Sequence, residues 1–160
     1  DITVMPSGFT SKIKSIDVLD KKLEEAYAPM SVSITLEDDI DISRGDMIVR
    51  SNNKPEALQD IEVMLCWLHN EAAKPRAKYS IRHTSNEQKA MIKEVVYKFD
   101  INTLERKEDD KELKMNDISK VKILTTKPLM VDTYRENRTT GSVILVDDTT
   151  NETVAAGMIV

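Results

Sequence analysis

Cysteine occurs once in this 160-residue chain, at Cys66. One thiol excludes an internal disulfide framework and fits a reducing, cytoplasmic compartment. Glycine is nearly as scarce. The four, Gly8, Gly45, Gly141 and Gly157, form neither G-x-x-x-x-G-K-[ST] nor G-x-G-x-x-G, so the chain has no glycine-rich loop to cradle a phosphate. Two histidines and one cysteine carry no surrounding signature of a nucleophilic triad. No apolar run approaches the roughly 18 residues that span a bilayer. The opening DITVMPSG has neither the basic start nor the apolar core of a secretory signal. It also lacks an initiator methionine, and a piece of a longer protein is therefore expected. The net charge of −5 argues against a general nucleic-acid binder.

What is present has mostly a period of two. Ser31–Leu36 places Val32, Ile34 and Leu36 on one face and Ser31, Ser33 and Thr35 on the other, the pattern of a half-buried strand. Ile2–Met5 and Thr10–Ile16 flank the turn-forming PSGF, and Gly45 introduces Asp46–Val49. The polar, proline-containing RSNNKPE at 50–56 marks a boundary between two modules. Beyond it, Ile61–Leu68 is nearly continuous apolar, as in a strand covered on both faces, and Ala77–His83 alternates. Gln88–Phe99 is long enough for a helix, but Ile92, Val95, Val96, Tyr97 and Phe99 favour a strand, because β-branched and aromatic side chains suit a pleated sheet. Val121–Leu124, Ser142–Val146 and Glu152–Val160 complete the set, with DDTTN at 147–151 as a hairpin connection. The best helical candidate, Asp20–Tyr27, offers only about two turns. Short strands separated by close turns predict an all-β fold of barrels or sandwiches.

Several small motifs carry a chemical reading and a plainer one. Cys66 and His69 form Cys-x-x-His, but residues three apart on a strand point to opposite faces and no second pair exists, so no metal site is expected. Arg44-Gly45-Asp46 spells RGD, which reads as a turn allowed by glycine. The acidic cluster Glu37, Asp38, Asp39, Asp41 and Asp46 lacks EF-hand spacing and reads as a solvated loop. Lys74, Arg76, Lys78 and Arg82 form a basic group suited to phosphate. Its plainer reading is the outer face of an alternating strand, with Lys78, Ser80 and Arg82 on the polar side.

Longer stretches carry a resemblance. LEDDIDISRGD (36–46), DINTLE (100–105) and ENRTTGSVILVDDTTNETVAAGMI (136–159) are similar to the second and third domains of translation-factor-type GTPases, and most of all to the GTPase subunits of bacterial sulfate adenylyltransferase. The resemblance runs over nearly the whole chain. It implies two antiparallel Greek-key-type β-barrel modules: 1–54 as an incomplete domain II-like barrel with an open sheet edge prone to self-association, and 55–160 as a complete domain III-like barrel of six strands. It implies a non-catalytic scaffold whose partners are its own GTPase domain and the small adenylyltransferase subunit, with no nucleic acid and no membrane. GTP and Mg²⁺ would belong to a preceding domain. No catalytic, cofactor or metal residue is carried onto this chain. Arg135 and Arg138, in YRENRTTG (134–141), are the candidates for a partner contact, because loops on a rigid barrel commonly carry recognition. The alternative is a pair of elongation-factor barrels contacting tRNA or the ribosome.

Overall fold

The computed structural model describes residues 1–74 and 76–160, and all the regular structure in them is β. They divide into two compact units, Asp1–Lys54 and Pro55–Val160.

The first unit holds two small antiparallel sheets. In one, β1 (Ile2–Met5) lies between β2 (Thr10–Ser11) and β6 (Met47–Arg50). In the other, β3 (Ile13–Val18) lies between β4 (Lys21–Leu23) and β5 (Ser33–Leu36). The single strand expected over Thr10–Ile16 is thus split, and its two parts serve different sheets on either side of Lys12. The segment weighed as a short helix instead folds back as β4, pairing Leu23 with Ile16 and Lys21 with Val18. The tight reversal has Leu19 in the left-handed region (φ 53°). Two helical turns would have been marginal without tertiary packing, whereas the hairpin satisfies one edge of β3.

The second unit is a closed antiparallel barrel. Its strands are β7 (Glu56–Trp67), β8 (Lys78–His83), β9 (Asn86–Phe99), β11 (Ile118–Val131), β12 (Ser142–Val146) and β13 (Thr153–Ile159), with a short β10 (Arg106–Lys107) on the outside of β9. The order β9-β11-β7-β13-β12-β8 closes through pairing of β8 with β9. β7 is flanked by β11 and β13 rather than by its sequence neighbour, which is the Greek-key character of the fold. Closure leaves no open edge where the ladders are continuous.

Alternation fixes the inside of the barrel. Ile61, Val63, Leu65 and Trp67 of β7 are buried, as are Val121 and Ile123 of β11. Each contributes about 1.5–3 kcal/mol by removal of apolar surface from water. Trp67 meets Tyr79 edge to face at 5.8 Å, and its indole N–H donates to the Glu71 carbonyl at 2.8 Å. The outer residues Glu62, Met64 and Cys66 are half-buried, so β7 is not covered on both faces as its apolar run suggests. The outer wall is laced instead by Lys120–Glu62 (2.6 Å) and Lys122–Glu94 (3.1 Å).

β11 is longer than Val121–Leu124 and runs through Pro128 to Val131. Its register against β7 slips between Leu124 and Leu129, a bulge that spares Pro128 a ladder N–H. Gln59 donates to the Thr125 carbonyl at 2.8 Å, and the Gln88 side-chain oxygen accepts from the Lys127 N–H at 2.6 Å. Two glutamine side chains therefore replace the backbone bonds that the bulge disrupts.

Candidate functional site

Strand directions place the connections at two ends of the barrel. One end gathers the start of β7, the β8–β9 turn, the β11–β12 connection and the end of β13. The β11–β12 connection contains YRENRTTG and is held by its own polar groups. The Glu136 carboxylate accepts from the Thr133 hydroxyl at 2.9 Å, and the Thr133 carbonyl accepts from the N–H groups of Glu136 and Asn137. The Asn137 side-chain oxygen accepts from the N–H of Thr139 at 3.0 Å, and the Asn137 carbonyl accepts from the Gly141 N–H at 2.8 Å. The Thr140 hydroxyl donates to Asp132 at 2.6 Å. Side-chain oxygens stand in for secondary structure in such turns.

The loop is also tied to the barrel. Tyr134 N–H donates to the Ile159 carbonyl and Ile159 N–H to the Gly141 carbonyl. Buried His83 meets the Thr140 carbonyl at 2.6 Å through Nε2. Arg135 and Arg138 are both exposed on this framework. Arg138 stacks over the Tyr134 ring at 6.0 Å, a contact that orients the guanidinium without neutralising it. Two cations on a rigid platform can recognise carboxylates or phosphates in a forked, bidentate geometry.

The other sequence motifs separate in space. Cys66 faces the half-buried outer side of β7, while His69 lies beyond the strand, with Nε2 at 3.3 Å from Glu152. Among the described residues no cluster of three or more metal-ligating side chains forms. RGD is a turn: Gly45 has φ 101°, Asp46 N–H donates to the Ser43 carbonyl, and the Asp46 carboxylate accepts from the Ser43 N–H at 2.8 Å. Within the acidic stretch, Asp38 accepts from the Ser11 hydroxyl at 2.8 Å, so one of its carboxylates is structural.

The basic group divides. Lys78 and Arg82 are exposed on β8, with Arg82 bound to Glu87 at 3.0 Å. Ser80, expected beside them on the polar face, is buried, and its hydroxyl donates to Asp148 at 2.6 Å. The β12–β13 hairpin covers it. Lys89 also binds Asp148 at 2.6 Å, and that ammonium, with the Ser80 hydroxyl, holds the carboxylate pKa below the usual range. Lys74 and Arg76 lie outside the strands.

At the opposite end sit two charge centres that sequence reasoning missed. Lys98 is buried and makes 2.7 Å ion pairs to both Asp110 and Asp117. Asp100 accepts from Lys107 at 2.5 Å and from the N–H groups of Asn102 and Thr103, which bring its pKa down to about 2. The partners of Lys98 lie 12 and 19 residues away, so local pattern gave no signal for them.

The family model described as GTP-eEF1A C-terminal domain-like matches residues 60–160, the span of nearly the whole barrel. The chain belongs to this family. Members and near relatives extend the match across both units. The chain is 48% identical over 159 residues to the bifunctional enzyme CysN/CysC of Rhodopirellula baltica, covering 99% of this chain and 24% of that protein. It is 45% identical over 168 residues to sulfate adenylyltransferase subunit 1 of a Sulfurovum species, covering 100% of this chain and 35% of that one. The chain therefore spans about a quarter to a third of these relatives. Among solved structures, Sup35 complexed with GDP superposes with a TM-score of 0.87 at 17% identity, over 99% of this chain and 39% of that one. That likeness extends the family's β architecture to both units.

Proposed function

We propose that this chain forms the C-terminal β modules of the GTPase subunit of a sulfate adenylyltransferase and acts in the cytoplasm as a non-catalytic scaffold. The observation that carries the reading is the 45–48% identity along essentially the full chain to sulfate adenylyltransferase subunit 1 and CysN/CysC proteins. In this reading a GTPase domain elsewhere in the longer protein binds GTP and Mg²⁺. A separate subunit makes adenosine 5′-phosphosulfate from ATP and sulfate. The barrel supplies a stable platform, and the 133–141 loop presents Arg135 and Arg138 to an acidic surface of the GTPase domain or of the adenylyltransferase subunit.

The test uses the full-length protein and its adenylyltransferase subunit. Titration calorimetry should show binding that Arg135→Glu with Arg138→Glu weakens about tenfold or more, at an unchanged unfolding midpoint. Unaltered affinity would remove the arginines from the interface. The family's likeness to eEF1A C-terminal domains supports a second reading, contact with tRNA. Tight, steeply salt-dependent tRNA binding by the full-length protein, without binding to the adenylyltransferase subunit, would favour it.

A further inference from the structure

The barrel wall has a gap. β8 pairs with β9 only as far as Lys78↔Met91, and β10 rejoins β9 at Lys107↔Lys98. Between these points, Ile92, Glu94, Val95 and Tyr97 of β9 pair with β11 on one side, with register shifts at Lys93 and Val96, and among the described residues no strand pairs with this stretch on the other. A groove of about 460 Å³ lies over this stretch. Ile92, Val95, Lys74, Arg76, Lys111 and Leu113 are among the residues that line it, and the Leu113 carbonyl accepts from the Ala73 N–H at 2.9 Å, joining the two flanking segments.

Charge within the groove does not balance locally. Its two acids are already occupied: Glu94 pairs with Lys122 at 3.1 Å and Glu112 with Lys114 at 2.9 Å. Lys93 is held by Asp60. Three cations are weakly neutralised or take part in no ion pair among the described residues. Lys74 makes one long ion pair among the described residues, to Glu71 at 3.8 Å with both side chains well exposed, and lies within electrostatic reach of Asp147. Arg76 is exposed and takes part in no ion pair among the described residues. Lys111 donates to the Val96 carbonyl at 2.7 Å. This last bond satisfies a backbone acceptor of β9 with a side chain, in a stretch that no described strand pairs on that side. Lysine on an unpaired edge blocks indiscriminate strand pairing while leaving the edge available to a matched partner.

We propose that this groove takes an extended acidic segment of a partner protein, which adds to the free edge of β9 and sets carboxylates against Lys74, Arg76 and Lys111. A free strand edge calls for alternating backbone donors and acceptors, which a peptide has and a nucleic acid lacks. The apolar side chains of Ile92 and Val95 that line the groove can receive side chains of an added strand. Among the described residues no aromatic side chain lines the groove, so they offer no base stacking, the usual support for single-stranded nucleic acid. The surface is separate from the Arg135–Arg138 loop and stands whether or not that loop docks a partner.

The experiment uses the full 160-residue chain and a labelled, end-blocked peptide of about eight residues alternating glutamate with valine. Fluorescence anisotropy should show binding that Arg76→Glu with Lys111→Glu weakens about tenfold or more, with circular dichroism unchanged. Arg76→Gln alone, which leaves Lys111 on the Val96 carbonyl, should give a smaller loss. Proline at alternate peptide positions should abolish binding, and bound peptide should slow amide exchange within 92–97. Each of four results overturns the proposal: no peptide binding, equal binding by the double variant, equally tight binding of a thymidine oligonucleotide or of pyrophosphate, or self-association of the chain that the double variant abolishes. The last would assign the groove to a second copy.

Discussion

Gly141 packs directly on the backbone of Tyr134: a Cβ at position 141 would lie 2.5 Å from the Tyr134 nitrogen and 2.7 Å from the Asn137 carbonyl oxygen. The obstacle is backbone, not the movable end of a side chain. Gly141→Ala should therefore destabilise the barrel by about 1–3 kcal/mol, read as a lower urea midpoint. Gly8 provides the contrast, with open space around it but φ of +79°. Gly8→Ala should lose about 1 kcal/mol, through backbone conformation alone.

Arg135 and Arg138 are held out by the loop without supporting it. Replacing either with alanine should change stability by less than about 0.5 kcal/mol. Asn137→Ala removes the acceptor for the Thr139 N–H and should lose about 1 kcal/mol by analogy with a lost helix cap. Thermal unfolding of the three variants separates presentation from support. Equal losses in all three would contradict the assignment.

Acid should weaken the end of the barrel that carries Asp100 and Lys98. The Lys107 ammonium, then the N–H groups of Asn102 and Thr103, lower the Asp100 pKa to about 2, so its contribution is present above the ordinary carboxylate pKa and is lost as pH falls toward about 2. Asp110 is lowered in the same sense, chiefly by its bond to Lys98. For Lys98, burial pulls the pKa down, but the two carboxylates outweigh it and the pKa is raised. That contribution is present below the ordinary lysine pKa and is lost as pH climbs through the raised value. Asp100→Asn should flatten the stability profile between about pH 4 and about pH 2, and Lys98→Met should flatten the alkaline side. Profiles parallel to the parent in both variants would refute the linkage.

The first unit exposes strand edges. Among the described residues β5 pairs only with β3, and Ile13 and Ile34 are each 39% exposed. Unpaired edges with apolar side chains recruit further strands. Sedimentation of the 160-residue chain should show concentration-dependent association that Ile34→Lys suppresses. A monomer at all concentrations would contradict this.

The purified chain should neither bind GTP tightly nor turn it over, because its sequence holds no phosphate-cradling glycine loop. Release of inorganic phosphate from GTP above the buffer rate would refute this.

The apolar run Ile61–Leu68 determined by itself that β7 is a strand, but with Met64 and Cys66 apolar as well, only the structure showed that Ile61, Val63, Leu65 and Trp67 face the core while Glu62, Met64 and Cys66 stay half-buried outside. The turn at Gly45 and the Asp147 hairpin were also legible in the sequence, because short polar side chains there bond their own backbone. The longer stretches from Leu36 to Ile159 also carried the family resemblance without any structure. Tertiary structure decided what depends on register. It split Thr10–Ile16 between two sheets, turned Lys21–Leu23 into a strand, and carried β11 past Pro128 by a bulge that two distant glutamines satisfy. It buried Lys98 between carboxylates far along the chain and opened the edge of β9 beside Arg76 and Lys111. Each of these arises from which strand lies alongside which, and that choice is set by closing the whole barrel rather than by any one segment.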